Sequence, residues 1–206
     1  METLHEILPF RQHHYVASIR SLTTTSCVLT ESAASHTLHR MSYIEPSSWN
    51  SAANEAVREM VRMDATPSNL YSLRLFYEEM AKQIRDEVDL DGAVVAGMWN
   101  TFGARCRASS VTLANNSLLW ATVIETVISK QRDYGKENIT KFGQVGLLVR
   151  VHDKLARLEH LTKNGKTPKN ESLADTVLDL VGYSVLGILL ARGWFDLELV
   201  ESYATT

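Results

Sequence analysis

The segment from residue 170 to residue 191 begins with charged side chains and ends without them. Glu171, Asp175 and Asp179 are four residues apart, so an α-helix would align the three carboxylates along one narrow stripe. Close carboxylates repel one another, and the neighbouring leucines and valines make their desolvation costly. Such a stripe is stable where cations neutralise it, and oxygen ligands alone favour Mg²⁺ or Mn²⁺. The alternative is a solvated helix face without a ligand.

The segment just upstream, from Gly146 to Thr162, has the period of an amphipathic helix. Its apolar face consists of Leu148, Val151, Leu155 and Leu158. Its opposite face carries one acid among three bases: Arg150, Asp153, Lys154 and Arg157. Antiparallel packing across the polar linker, with Asn170 as the N-cap of the second helix, would bring Asp153 to the acidic stripe. A carboxylate cluster beside cations suits a metal–polyphosphate complex, whereas the alternative is a set of intrahelical ion pairs worth roughly 0.2–0.5 kcal/mol each.

A third helix is predicted from Leu118 to Arg132, and Gly135 has the position of a glycine that ends a helix. Tyr134 is suited to stacking on a base, and Asn138 to hydrogen bonds with a base or a sugar. Lys136 and Lys141 in the following loop are suited to phosphate. The alternative is an ordinary helix end followed by a solvated basic loop.

The order and spacing of these three segments resemble a known family. The segments read Lys130-x-x-Asp133-Tyr134-Gly135-x-x-Asn138, Arg150-x-x-Asp153-Lys154-x-x-Arg157-Leu158, and Glu171-x-x-x-Asp175-x-x-x-Asp179-Leu180-x-x-Tyr183. Together they resemble the phage-borne, nucleotide-modification-associated branch of the MazG-like all-α nucleoside triphosphate pyrophosphohydrolases. The resemblance covers about the last ninety residues. The acid motifs of this chain differ from the usual Glu-Glu-x-x-Glu and Glu-x-x-Asp motifs of the family. The first helix keeps only Asp153 of the motif's acidic residues, and the second has Glu-x-x-x-Asp.

The resemblance implies a helical bundle that uses Mg²⁺ to split a (deoxy)nucleoside triphosphate into the monophosphate and pyrophosphate. The implied metal ligands are Asp153, Glu171, Asp175 and Asp179. Asp153 and Lys154 would be the catalytic residues, with a metal-activated water attacking the α-phosphorus. The implied substrate contacts are Lys130, Asp133, Tyr134, Asn138, Lys141, Arg150, Lys154, Arg157 and Tyr183.

Length and composition are those of an ordinary globular protein. The chain has 206 residues, of which 45% are hydrophobic and 22% are charged. A formal net charge of −3 gives no reason to expect general nucleic-acid binding. Two cysteines, the absence of a signal-peptide pattern and the lack of a sufficiently long apolar run predict a cytoplasmic protein, in the host cytoplasm if it is phage-encoded.

The first half of the chain predicts further helices, and the whole chain an all-α fold. Residues 51–63 have helical spacing, a second helix begins near Pro67, and residues 93–104 form a third candidate. The second helix has an apolar face of Leu70, Leu73, Phe76, Met80 and Ile84, which we expect to pack on the C-terminal helices or on another subunit. Residues 18–39 have no sustained period.

These patterns predict a mostly helical N-terminal region, residues 1–110, and a MazG-like domain, residues 111–206. Three C-terminal helices make an incomplete bundle, so a homodimer or homotetramer is expected. Two other functions compete with the enzyme. The atypical acid motif favours a catalytically inactive nucleotide sensor, and the unmatched N-terminal half favours a helical phage adaptor that binds a host protein.

Overall fold

The structure is a computed structural model that describes residues 45–87, 89–165 and 167–201. Within these ranges there is no β-strand, which confirms the predicted all-α class. The described residues form eight helices: α1 Trp49–Arg62, α2 Leu70–Asp86, α3 Gly92–Ala108, α4 Ser110–Ala114, α5 Trp120–Tyr134, α6 Glu137–Thr140, α7 Gly143–Lys163 and α8 Leu173–Ala191. The prediction for residues 18–39 lies outside the described residues.

The helix starts are set by local hydrogen bonds of capping side chains. Ser48 and Ser51 form a reciprocal capping box at α1, with distances of 3.0 and 3.2 Å between each hydroxyl and the other residue's backbone nitrogen. At α8 the predicted cap was wrong. Ser172, not Asn170, is the N-cap: its hydroxyl accepts from the Asp175 backbone at 3.0 Å. Glu171 therefore precedes the helix.

Helix α8 is the central element of the fold. It packs against α1, α3, α4, α5 and α7, with its most extensive contact on α3. Val181, Val185 and Ile188 are almost completely buried, which is why this segment can be nearly free of charge. By length and composition alone α8 could also cross a membrane, and half of its most apolar stretch is buried inside the protein. The core position accounts for the buried half of this stretch.

Small residues allow α3 and α8 to approach closely. A Cβ atom added at Gly187 would lie 2.4 Å from the ring of Trp99, and one added at Gly103 would lie 2.7 Å from Ser184 Cβ. The contact is fixed by Gln144 of α7, which accepts a hydrogen bond from Trp99 Nε1 at 2.7 Å and donates one to the Gly187 carbonyl at 3.0 Å. This packing holds α7 and α8 in register next to the candidate site.

The N-terminal helices complete the core of the C-terminal ones. Helix α2 packs against α3 and α7 with Leu73, Phe76 and Met80 of its predicted apolar face buried and the two ends of that face partly buried. The Tyr77 hydroxyl donates to the Leu148 carbonyl at 2.9 Å. The described residues belong to one compact unit, and the predicted division between residues 110 and 111 falls within α4. The incomplete bundle that motivated the dimer prediction is closed by helices of the same chain, so that argument for a second subunit does not hold.

Candidate functional site

Lys154 of α7 lies between two carboxylates that belong to the acidic segment. Its Nζ donates to Glu171 Oε1 and Oε2 at 2.9 and 3.0 Å and lies 2.7 Å from Asp179 Oδ2. Lys130 of α5 pairs with the other carboxylate oxygen of Asp179. The Lys154 and Asp179 side chains are only 19% and 13% exposed, so this contact is largely protected from solvent. We call these four residues the lysine–carboxylate cluster.

The cluster keeps Lys154 charged. Burial by itself favours the neutral amine, but the hydrogen bonds to Asp179 and Glu171 and the charges of both carboxylates outweigh burial. The pKa of Lys154 is raised above its ordinary value of 10.5. At neutral pH the ammonium therefore neutralises part of the carboxylate charge, without any bound ion.

Arg157 joins the segment before α8 to α7. Its guanidinium donates to the Thr176 hydroxyl and to the Glu171 backbone carbonyl. Thr176 is completely buried, and its hydroxyl also lies 3.2 Å from Glu171 Oε1. Both partners of Arg157 are neutral groups, so Arg157 brings an additional positive charge to this end of the site.

The four predicted metal ligands do not converge. Asp175 is exposed and belongs to the α8 capping box, where its carboxylate accepts from the Ser172 backbone and hydroxyl at 3.2 and 2.7 Å. Asp153 is also exposed, and its side chain makes no hydrogen bond or ion pair with any described residue. Glu171 and Asp179 do share a partner, but that partner is Lys154.

As they are arranged, these residues do not fit a Mg²⁺ ion. Such an ion needs several converging oxygen ligands, whereas the position between the two converging carboxylates is taken by an ammonium group. Within the described part of the chain no three His, Cys, Asp or Glu residues are placed to hold a metal. The Mg²⁺ or Mn²⁺ requirement stays a prediction.

A cavity of about 360 Å³ opens beside the cluster, at the low end of the size range of ligand pockets. We call it the tyrosine pocket, after Tyr134 and Tyr183. It lies among α5, the α5–α6 turn, α6, α7 and α8. Its lining residues are Thr126, Val127, Lys130, Gln131, Tyr134, Gly135, Asn138, Ile139, Arg150, Leu178, Asp179, Gly182, Tyr183 and Leu186. Asp179 belongs both to this lining and to the lysine–carboxylate cluster, so the two form one continuous site.

Backbone geometry shapes the pocket at two glycines. Gly135 ends α5 with a φ of 68°, a left-handed value that glycine adopts at no cost, and so turns the chain around the pocket mouth. Gly182 lets α8 approach α5 closely, since a Cβ atom there would lie 3.3 Å from Val127 Cγ2. Arg150 is oriented by Asn138, whose side-chain oxygen accepts from its Nη2 at 2.8 Å.

Five of the predicted substrate contacts line this pocket: Lys130, Tyr134, Asn138, Arg150 and Tyr183. Lys154 and Arg157 lie in or beside the lysine–carboxylate cluster. Asp133 and Lys141 do not line the cavity; both are exposed, and Lys141 Nζ lies 5.7 Å from the ring centroid of the neighbouring Phe142.

Sequence reasoning missed several lining residues, of which Thr126, Gln131 and Gly182 are the most informative. The signal for Thr126 was present, because it precedes Lys130 and Tyr134 by four and eight residues on the same helix. Gly182 likewise lies three residues after Asp179, which places both residues on one face of α8. Glycine has no functional side chain, so this spacing did not indicate a binding residue.

No protein-family model matches this chain, and no curated protein or solved structure compared with it gives a match. The MazG-like resemblance therefore depends on the three C-terminal segments alone.

Proposed function

We propose that this protein binds a (deoxy)nucleoside triphosphate in the tyrosine pocket. One observation carries the proposal: three segments that are separate in the sequence place aromatic, apolar and cationic side chains around a single cavity. A concave, largely apolar lining with a few convergent polar groups is typical of a small-molecule site.

The apolar part of the pocket suits a nucleobase. Tyr183 is half-buried in the lining, and Tyr134 is 67% exposed at the rim, so the two rings lie at different depths of the same pocket. Aromatic rings stack on any base, with a contribution of about 1–3 kcal/mol per base. The Asn138 amide orients Arg150 through its oxygen and leaves its nitrogen as a donor toward a base or sugar acceptor.

The cationic part of the site suits phosphates. Lys130 and Arg150 line the pocket itself, and Lys154 lies directly behind Asp179. Arginine and lysine form short charge-assisted hydrogen bonds to phosphate oxygens, which are stronger than bonds between neutral groups. A nucleotide with its base between the tyrosines would point its phosphates toward these three residues.

The enzymatic form of this proposal is the pyrophosphohydrolase that the resemblance implies, which is Mg²⁺-dependent and releases the monophosphate and pyrophosphate. A cytoplasmic homodimer or homotetramer belongs to the same proposal. The second candidate is a nucleotide sensor without turnover. It is favoured by the position of Lys154, whose ammonium already pairs with the two carboxylates that would have to share a metal.

A panel of the eight common ribo- and deoxyribonucleoside triphosphates tests the proposal. Thermal stabilisation reports binding, since a ligand at about 100 times its dissociation constant stabilises the folded state by about 2.7 kcal/mol. Released pyrophosphate and monophosphate report turnover. Stabilisation with Mg²⁺-dependent turnover identifies the enzyme, and stabilisation without turnover identifies the sensor.

Two variants locate the binding. Tyr183→Leu removes a pocket ring and should weaken stabilisation by the panel, whereas Tyr71→Leu, at a 71% exposed position on α2, should not. If no nucleotide stabilises the parent protein, the proposal is wrong, and the helical adaptor becomes the function to test.

A further inference from the structure

In the lysine–carboxylate cluster, the ammonium group of Lys154 lies between two carboxylates, at the position where a metal-dependent nucleotide site would bind a divalent cation. Glu171 and Asp179 each lie within 3.0 Å of Lys154 Nζ, and Asp179 also pairs with Lys130. A divalent ion could use these two carboxylates only after displacing the Lys154 ammonium. It would then have to coexist with that positive charge nearby.

The site has an excess of positive charge once these pairs are made. Four cationic side chains, Lys130, Arg150, Lys154 and Arg157, are balanced by two carboxylates, Glu171 and Asp179. The guanidinium of Arg150 is held by neutral acceptors of Asn138, and that of Arg157 by a hydroxyl and a carbonyl. Hydrogen bonds to neutral groups leave the charge of a guanidinium uncompensated, so both side chains contribute an attractive field for an anion.

The exposed acids nearby do not reverse this balance. Asp153 and Asp175 both lie at the solvent surface, where water and salt screen their charges far more than those of the Lys154–Asp179 pair, whose side chains are 19% and 13% exposed. The pocket itself is lined by two of the cations and by one carboxylate, and that carboxylate already has two lysine partners.

We infer that Lys154 replaces the divalent cation of this site, so that the phosphates of a nucleotide bind without Mg²⁺. This inference rests on the proposed nucleotide-binding function and names the ionic form of the ligand, the metal-free nucleotide. The phosphate oxygens accept from Lys130 and Arg150, while Lys154 keeps the two carboxylates neutralised beside them. Mg²⁺ then adds no affinity, because it competes with the same side chains for the phosphate oxygens.

Titration calorimetry with the α,β-methylene analogues of the four deoxynucleoside triphosphates tests this inference, since these analogues cannot release pyrophosphate. Each is titrated into the full chain once with excess EDTA and once with excess MgCl₂. We expect dissociation constants that are equal within about threefold in the two conditions, a difference of less than about 0.7 kcal/mol. Binding that needs MgCl₂ overturns the inference and leaves the proposed function intact. No binding in either condition overturns the proposed function itself.

Variants at position 154 give a second test, because Lys154→Met should make nucleotide affinity depend on Mg²⁺, unlike the parent protein. Lys154→Met leaves Glu171 with no lysine partner and Asp179 with one. Affinity in EDTA should then fall by at least about tenfold, and MgCl₂ should restore part of it. Lys154→Arg keeps the charge and should bind in EDTA, which gives a folded test if the methionine variant does not fold. Lys163→Met, at an exposed position of the same helix, is the matched control and should bind as the parent does. Equal binding by parent and Lys154→Met in EDTA would show that Lys154 plays no part in the ionic balance of the site.

Discussion

Replacing Lys154 by methionine removes the charge at the centre of the cluster while keeping most of the side-chain volume. The parent ammonium donates to both oxygens of Glu171, at 2.9 and 3.0 Å, and lies 2.7 Å from Asp179. Because the lysine side chain is only 19% exposed, these contacts are poorly screened by water. We therefore expect Lys154→Met to lower the free energy of unfolding at neutral pH.

The expected loss is about 2 kcal/mol. A hydrogen bond to a charged group contributes about 1.5–3 kcal/mol, and removing one partner of a fully buried ion pair costs about 3–5 kcal/mol. Here the cost is smaller for two reasons. Asp179 keeps its pair with Lys130, and Glu171 is 33% exposed and keeps the neighbouring Thr176 hydroxyl.

Urea unfolding followed by circular dichroism measures this loss, and a double-mutant cycle assigns it. Glu171→Gln removes the partner charge. The double variant should therefore lose about 1 kcal/mol less free energy of unfolding than the sum of the losses in the two single variants. Lys163→Met is the control, because Lys163 is an exposed lysine of the same helix and makes no ion pair with a described residue. A loss below about 0.5 kcal/mol for Lys154→Met, the size expected of an exposed pair, together with no coupling to Glu171, would refute the arrangement described here.

Three further predictions concern packing, capping and pH. Gly187→Ala should destabilise the fold by about 1–3 kcal/mol in urea unfolding, because the new Cβ would lie 2.4 Å from the buried Trp99 ring. In the control Gly97→Ala the new Cβ would meet nothing within 4 Å, so this variant should be neutral or stabilising. Equal losses of stability in the two variants would contradict this packing. Asp175→Ala should cost about 1 kcal/mol through the lost capping box and leave nucleotide affinity unchanged, so a collapse of binding with the fold intact would return Asp175 to the site. Because hydrogen bonds hold the pKa of Lys154 above its ordinary 10.5 in the folded protein, its stabilising contribution is full below that pH and is lost as the pH rises through the folded value. The stability difference between parent and Lys154→Met should therefore shrink above about pH 10.5 in unfolding experiments, and a constant difference would contradict the charged pairing.

The helices were predictable from the sequence because their signals are local. The apolar periods of α1, α2, α5 and α7 belong to short stretches of chain, and all four helices form close to the predicted residues. The pocket was predictable in part, since Tyr134 is suited to stacking on a base and Arg150 belongs to the charged face of α7. Which of the chosen residues face one cavity depends on how α5, α7 and α8 pack, and no single segment encodes that packing.

The acidic stripe shows why the relative positions of the four predicted metal ligands were not predictable in the same way. The spacing of Glu171, Asp175 and Asp179 places them on one face only if the helix includes all three. The capping box between Ser172 and Asp175 starts α8 two residues later than predicted and uses the middle carboxylate. Competition between a capping hydrogen bond and a metal ligand is decided by local geometry, which residue spacing alone does not give.

The predicted boundary after residue 110 is crossed by helix packing that the sequence pattern does not reveal. The predicted boundary lies where the family resemblance begins. Helices α3 and α8 pack against each other across it, with close contacts at Gly103 on one side and Gly187 on the other. Glycines in a helical pattern give no apolar period, so the contact that unites the described residues leaves little trace in the sequence.

The central claim is that the tyrosine pocket and the lysine–carboxylate cluster together hold a nucleotide. Its most direct test is a crystal structure of the full chain grown with excess EDTA and the tightest-binding α,β-methylene deoxynucleotide of the calorimetric panel. We predict the base against Tyr183 and Tyr134, phosphate oxygens within hydrogen-bond distance of Lys130 and Arg150, and Lys154 still paired with Asp179. A nucleotide bound elsewhere on the chain, with this pocket lacking density for it, would contradict the account.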